Sequence, residues 1–398
     1  MGLRRLQLAT DEDWLTQLRL IGADRSTWDR LEMKCRVRAF LTDPMPPAAA
    51  NILKQCMLSG GADAIVARDS VSCRIESTRA LIVGTPKQIL SGCRSLDGQP
   101  FHLSRLSGKL QRALKGPPAL PSGITAGERE LDFTDGPLVM GILNVTPDSF
   151  SDGGRYLGRE EAAAHARLLD SQGADIIDIG AESTRPGSLP VDPESQMERI
   201  LPVIEELSGQ LGSVISVDTT SSRVAKAAIQ SGAAMINDIS ALSDPDMAGL
   251  AARSGVPLVL MHMQGTPETM QRDPRYNDVV DEVYTFLAKR VEAAVQAGVS
   301  RDSVIIDPGI GFGKRLQDNL QLISRAAEFR WLGCRVLLGH SRKSFLGALT
   351  GVEEPWKRGA GTNAVTALSS DSADIFRVHD VEDTVQVLKV AGKLRCLR

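Results

Sequence analysis

Eight short apolar stretches of this chain each end on side chains of the kinds that bind and polarise small molecules. In chain order the endings are Asn144; Asp178 running into AESTRPG at 181–187; Asp218-Thr219; Asn237-Asp238; Met261-His262-Met263-Gln264; Asp307 followed by PGIGFGK to Lys314; His340-Ser341-Arg342-Lys343; and Arg377-Val378-His379-Asp380. Asp218, Asn237, Asp307 and Lys343 offer acceptors and donors that suit a flat, nitrogen-rich heterocycle, with a carboxylate matching an amino–imino edge. Arg377, His379, Arg185 and Thr184 offer the cationic and hydroxyl donors that hold a phosphate or diphosphate. Asn144 supplies a neutral oxygen, a reasonable ligand for Mg2+ shared with phosphate oxygens. No Cys or Ser has an obvious base partner, so covalent catalysis gains no support. His262 has no second His at helical spacing, which argues against zinc. Each ending alone has a plain structural explanation: an Asp can cap the next helix, an Arg can neutralise an Asp, and Gly309, Gly311 and Gly313 can mark a tight loop. Eight polar endings out of eight exceed what packing requires. The opposite ends (Pro137, Gly173, Gly212-Ser213, Pro257, Gly333) carry no such cluster.

The stretches themselves fall at 138–145, 174–181, 214–219, 234–240, 257–263, 304–310, 335–341 and 374–380. They are apolar, rich in β-formers and short, as buried strands are. Between them lie Ala-, Leu- and charge-rich segments with helical spacing, among them 160–172, 195–207, 222–231 and 278–297. Strands alternating with helices imply βαβ units and a parallel sheet. Eight such units in about 260 residues is the size of a (β/α)8 TIM barrel, an α/β fold whose active site forms at the carboxyl ends of its strands. A doubly wound open sheet is the alternative; the count of eight and the lack of a Gly-rich dinucleotide fingerprint after the first strand disfavour it.

Residues 1–125 have a different texture and read as a small α/β domain preceding the barrel at 126–398. Helices are expected at 11–20 and 47–58, strands at 63–71 and 79–84, a helix from Thr85-Pro86 to Cys93, and an amphipathic helix within 100–115. The Pro- and Gly-dense run GPPALPSGITAG at 116–127 reads as a linker, and 131–137 as a short strand and turn capping the next domain. No catalytic constellation lies in this part.

Composition narrows the classes further. The chain has 398 residues, 42% hydrophobic and 24% charged, with a formal net charge of −3. That is an ordinary globular balance with no support for a nucleic-acid surface. The start, MGLRRLQLATDEDW, has no apolar signal-peptide core, and the longest apolar run, 256–261, is too short to span a bilayer. Six cysteines without a CxxC pair fit reduced thiols in a cytoplasm.

From about Pro137 onward the chain resembles bacterial dihydropteroate synthase, a pterin-binding family. The matching motifs are GILNVTPDSFSDGG (141–154), DIIDIGAESTRPG (175–187), ISVDT (215–219), INDIS (236–240), LMHMQGTP (260–267), DPGIGFGK (307–314), GHSRKSF (339–345) and FRVHDV (376–381). The resemblance implies a folate-synthesis transferase that joins 6-hydroxymethyl-7,8-dihydropterin diphosphate to 4-aminobenzoate, with Mg2+. By motif position Asn144 would meet the metal. Thr184, Arg377 and His379 would hold the diphosphate. Asp218, Asn237, Asp307 and Lys343 would surround the pterin, with Met261 near the ring. Arg185, Pro186, Phe312 and Ser341 would line the aminobenzoate site. Lys343, Asp218 and Arg377 are the expected catalytic residues, and the loops at 146–154 and 183–187 the expected lids. Small molecules rather than nucleic acid or membrane would be the partners, in a homodimer. Two departures stand out: the N-terminal extension, to which no family role transfers, and Ser372 where a Gly often precedes the last strand. The readings left open are a methyltetrahydrofolate–corrinoid methyltransferase and a non-catalytic pterin-binding regulatory protein. The first would not need Ser341–Lys343 or the Arg377/His379 anion pair, and the second would be marked by losses that have not occurred.

Overall fold

The computed structural model describes residues 11–145, 155–182 and 191–395. The chain forms two compact units that divide between Pro117 and Pro118.

The N-terminal unit runs α1 (Asp11–Leu20), α2 (Trp28–Cys35), β1 (Arg38–Leu41), α3 (Pro47–Ser59), β2 (Asp63–Val66), β3 (Ala80–Gly84), α4 (Pro86–Leu96) and α5 (Leu103–Ala113). Its strands pair antiparallel in the order β1-β3-β2. Local chemistry sets the helix starts. Pro47 occupies the first turn of α3, where its missing N–H is not needed. At α4, Thr85 and Gln88 form a reciprocal capping box. Leu53, Met57, Ile82, Ile89 and Leu96 are fully buried in its core. The strand expected at 63–71 stops at Val66, because residues 68–70 turn into a 3-10 helix. Helix α2 and strand β1 had no counterpart in the sequence reading.

The second unit opens with a hairpin, β4 (Gly123–Ala126) and β5 (Arg129–Asp132), so the tail of the expected linker is a paired strand. There follow β6 (Leu138–Asn144), α6 (Arg155–Ser171), β7 (Ile176–Gly180), α7 (Pro193–Leu207), β8 (Val214–Asp218), α8 (Ser222–Gln230), β9 (Met235–Asp238), α9 (Met247–Ser254), β10 (Leu258–Met261), α10 (Val279–Gln296), β11 (Val304–Asp307), α11 (Leu316–Ser324), β12 (Arg335–Leu338), α12 (Ser344–Thr350), α13 (Gly359–Ser369), β13 (Ile375–Val378) and α14 (Val381–Arg395). Strands β6 to β13 are parallel and close into an eight-stranded barrel, β13 pairing with β6. The open-sheet alternative is thereby excluded. Ser372 sits in a turn with negative φ, its N–H on the Ser369 carbonyl at 2.9 Å, so no glycine is required there.

Side chains alternate along each strand, and this alternation organises the site. Met140, Ile176, Val214, Met235, Val259, Ile305, Leu337 and Ile375 form an apolar interior layer, closed from below by Ile124, Ala126 and Leu131 of the hairpin. Residues of opposite parity, such as Leu143, Ile177, Val217, Ile236, Leu260 and Phe376, face the helices. Two positions beyond the apolar layer, the interior becomes Asp178, Ser216, Asn237, Met261, Asp307 and Arg377. The barrel is thus filled with hydrocarbon at one end and hydrogen-bonding groups at the other.

Candidate active site

Arg377 stands at the centre of the polar end. Its Nε donates to Asp178 Oδ2 at 2.6 Å and its Nη2 to Asp218 Oδ2 at 2.8 Å. Asp178 is fully buried and also accepts from Ser216 Oγ at 2.6 Å and Asn237 Nδ2 at 2.8 Å. Strands β7, β8, β9 and β13 therefore converge on one carboxylate. Burial opposes the guanidinium charge, yet Asp178 and Asp218 outweigh it and hold Arg377 above its ordinary value. These bonds use two of its five N–H donors and leave three.

Asp307 and Lys343 form a second group. Both flank Gly339: a Cβ at that position would lie in ordinary contact, 3.7 Å from Asp307 Oδ2, 3.9 Å from Arg377 Cβ and 3.9 Å from Lys343 Nζ. Lys343 Nζ lies 4.2 Å from the centre of the Phe312 ring and donates to the Ile310 carbonyl. Burial lowers Lys343 to about 7, against the pull of Asp307 and with the push of Arg377. Asp307 is raised by burial, which Lys343 only partly offsets. Its Oδ1 accepts the Gly309 N–H at 2.7 Å, fixing the loop after β11. Gly309 needs to be glycine there. Its φ is +71°, and a Cβ would fall 1.9 Å from the His262 carbonyl oxygen.

Asn144 is inward-facing by parity and half-buried at the top of β6. Met261 and Phe312 pack together with Ile239 and Met270 in a small apolar cluster. Ser341 Oγ lies 3.0 Å from His379 Nδ1 and accepts the His379 N–H at 3.2 Å, joining the last two strand ends. Asp238, adjacent to Asn237, has outward parity and caps its own turn through the Ser240 and Leu242 N–H groups. Thr184, Arg185 and Pro186, with the loops at 146–154 and 183–187, lie outside the described residues. Asp178 stands among the polar strand endings of the sequence but without an expected ligand role, and Ser216 is not among them; inward parity is the signal that marks both.

Asp218 is pushed up to about 7 by burial, with Arg377 opposing and Asp178 adding to the rise. An unfolded Asp titrates near 3.8. The folded state therefore holds an extra proton between those values. This contribution to stability is complete below the unfolded value and is lost as pH rises through about 7. Asp218→Asn should remove that share, so its melting temperature should fall less than the parent's between pH 5 and pH 8. Parallel melting curves for the two proteins would refute the assignment.

Comparison with known proteins fits this geometry. The family model described as pterin binding enzyme matches residues 140–379. Dihydropteroate synthase of Escherichia coli K12 is 45% identical over 255 residues, which cover 64% of this chain and 90% of that protein. The chain belongs to the dihydropteroate synthase family.

Solved members of the dihydropteroate synthase family share the barrel. The Xanthomonas albilineans enzyme with 4-aminobenzoic acid superposes with a TM-score of 0.66 at 45% identity, covering 70% of this chain and 99% of that one. The same enzyme in complex with 7,8-dihydropteroate gives 0.64 at 42%, covering 69% and 100%. A third relative is longer. The probable bifunctional folylpolyglutamate synthase/dihydropteroate synthase of Haloferax volcanii is 38% identical over 352 residues, 86% of this chain but only 41% of that protein. That alignment exceeds the barrel unit in length, so it runs into the N-terminal unit as well. Among the described residues no helix is long and apolar enough to cross a membrane, and no three His, Cys, Asp or Glu side chains gather as a metal cage.

Proposed function

We infer that this chain is a dihydropteroate synthase, joining 6-hydroxymethyl-7,8-dihydropterin diphosphate to 4-aminobenzoate and releasing diphosphate. The observation that carries the reading is the convergence of Asp178, Asp218, Asp307, Lys343 and Arg377 at the polar end of the barrel, in a chain of this family. Asp218, Asn237, Asp307 and Lys343 receive the pterin, with Met261 against the ring. Arg377, His379 and Thr184 take the diphosphate. Arg185, Pro186, Phe312 and Ser341 line the aminobenzoate side.

The chemistry exchanges one bond for another. The methylene C–O bond to diphosphate breaks, a C–N bond to the aniline nitrogen forms, and that nitrogen releases a proton to the leaving diphosphate or water. Positive charge grows on the pterin side as the leaving group departs. In this reading the carboxylates of Asp218 and Asp307 offset that charge, and Arg377 meets the departing oxygens. A weakly basic aniline attacks late, so bond breaking leads. A secondary isotope effect at the methylene hydrogens clearly above unity is the expected result; a value near unity would show that attack and departure are concerted.

We assign Asn144 as the protein ligand of a magnesium ion. Mg2+ keeps most of its waters and takes substrate phosphate oxygens, so one inward neutral oxygen suits it where an all-protein cage is not needed. When bound, the ion supplies charge neutralisation to the diphosphate.

Two further assignments complete the reading. The first is a homodimer, supported by large apolar side chains exposed on neighbouring elements: Leu349 on α12, Leu368 on α13, and Val390 and Leu394 on α14. Sedimentation should return twice the 42.8 kDa chain mass, and a monomer at micromolar concentration would refute it. The second is a cytoplasmic setting, which suits two anionic substrates that do not cross a bilayer unaided. The activity itself is tested by complementation: the gene should restore growth without folate end-products to a strain lacking dihydropteroate synthase. Well-folded protein that fails to do so would overturn the reading in favour of a regulatory pterin binder.

A further inference from the structure

A second buried lysine lies beside this site with no place in the chemistry above. Lys314 ends the loop after β11 and is 3% exposed. Its Nζ lies 3.0 Å from His262 Nδ1, 3.3 Å from the His262 carbonyl oxygen and 2.9 Å from the Phe312 carbonyl oxygen. Three donors meet three acceptors, and none of the three is a carboxylate.

This is an expensive way to fill space. Burial lowers Lys314 to about 7, with Asp307 opposing and Lys343 adding to the fall. Burial and then the neighbouring ammonium drive His262 down to about 3, which keeps its ring neutral. The ring is held edge-on to Phe286 at 4.9 Å between centroids. A methionine would pack the same volume without desolvating an amine. What the amine adds is direction: it ties the residue after β10 to the loop after β11.

That loop is where Lys343 is held. The Phe312 carbonyl takes the Lys314 bond, and the Phe312 ring lies against the Lys343 ammonium. Lys343 also donates to the Ile310 carbonyl in the same loop. Other bonds secure different points of the loop. Tyr276 Oη donates to the Gly313 carbonyl and Gln271 Nε2 to the Gly311 carbonyl, each at 2.8 Å. The Gln271 bond and the Phe312 N–H, which donates to the Gly309 carbonyl at 3.1 Å, hold the peptide before Phe312; Lys314 holds the carbonyl after it.

We propose that Lys314 is a positioning residue of the pterin site: by holding the Phe312 carbonyl against His262 it sets the Phe312 ring, and through that ring the place at which Lys343 meets the substrate. The proposal rests on the reading of Lys343 as a pterin ligand.

The test uses the full chain and three variants. Lys314→Met removes the donors at similar volume. His262→Leu removes the side-chain acceptor, and His262→Asn restores one where Nδ1 stood. Lys314→Met and His262→Leu should each raise KM for the pterin diphosphate about tenfold with kcat within about threefold, as loss of a charge-assisted bond acting on binding would do. His262→Asn should stay within about twofold of the parent in both constants. A second readout does not depend on turnover. In protein reductively methylated with 13C-formaldehyde, the Lys343 methyl resonance, assigned by its loss in Lys343→Arg, should carry the Phe312 ring-current displacement. It should move toward the free-lysine position in Lys314→Met and His262→Leu. An unmoved resonance in both variants overturns the proposal, as does an unchanged pterin KM or equal impairment of His262→Asn and His262→Leu. If the parent lacks synthase activity, the functional reading fails, and the resonance alone decides the contact. Should Lys314→Met not fold, the His262 pair carries the test.

Discussion

Arg377→Ala should lower kcat/KM by about a thousandfold or more and destabilise the protein by about 3–5 kcal/mol, in both cases because Arg377 serves two buried carboxylates at once. Asp178 lies at 2.6 Å and Asp218 at 2.8 Å from its guanidinium, and neither has another cationic partner among the described ion pairs. Removing the cation leaves two carboxylates facing each other out of water. One of them must then take up a proton, which also spoils the acceptor pattern offered to the pterin. Asp178 keeps Ser216 and Asn237 as donors, so the collapse should be local rather than global. The loss of turnover should appear in kcat as well as in KM, since leaving-group charge is greatest in the transition state. Steady-state kinetics and urea unfolding together check the claim. A variant with parental stability would mean that the ion pairs contribute nothing net.

Lys343→Met should behave differently: a loss of about a hundredfold or more in kcat/KM, with stability changed by less than about 1 kcal/mol or slightly improved. The reason lies in the free site. Burial already lowers Lys343 to about 7, so the empty protein gains little from its charge, and a methionine of similar length relieves the desolvation. Asp307 loses a stabilising neighbour but retains the Gly309 N–H at 2.7 Å. The ammonium matters once a ligand arrives to accept from it. Reduced activity in a protein that unfolds at the same or higher urea concentration is the expected pattern, and joint loss of both would assign Lys343 a structural role instead.

The contrast between these residues bears on what the sequence could reveal. Strand and helix periodicity, with polar groups at every strand end, was enough to expect a (β/α)8 barrel and to collect Asp218, Asn237, Asp307, Lys343 and Arg377. A barrel interior is built in layers two residues apart, so the type of a strand's last residue does not show which groups meet. Asp178 is legible among the polar strand endings, but its role is not, because its partners Ser216, Asn237 and Arg377 lie on three other strands. Parity turns it inward: it shares its face with Ile176 and Gly180. His262 and Lys314 were legible as residues but not as a pair, since 52 positions separate them and only the β10–β11 register brings them together. In the N-terminal unit, β1 is four residues, RAFL, with an alternation too brief to count as periodic, and its pairing with β3 depends on contacts 40 or more residues away.

The most direct measurement is product stoichiometry with the purified full chain. Given 6-hydroxymethyl-7,8-dihydropterin diphosphate, 4-aminobenzoate and Mg2+, the protein should form 7,8-dihydropteroate and diphosphate in equal amounts, with little diphosphate when 4-aminobenzoate is omitted. Diphosphate release that does not depend on 4-aminobenzoate, or no dihydropteroate from protein that binds the pterin, would contradict the account.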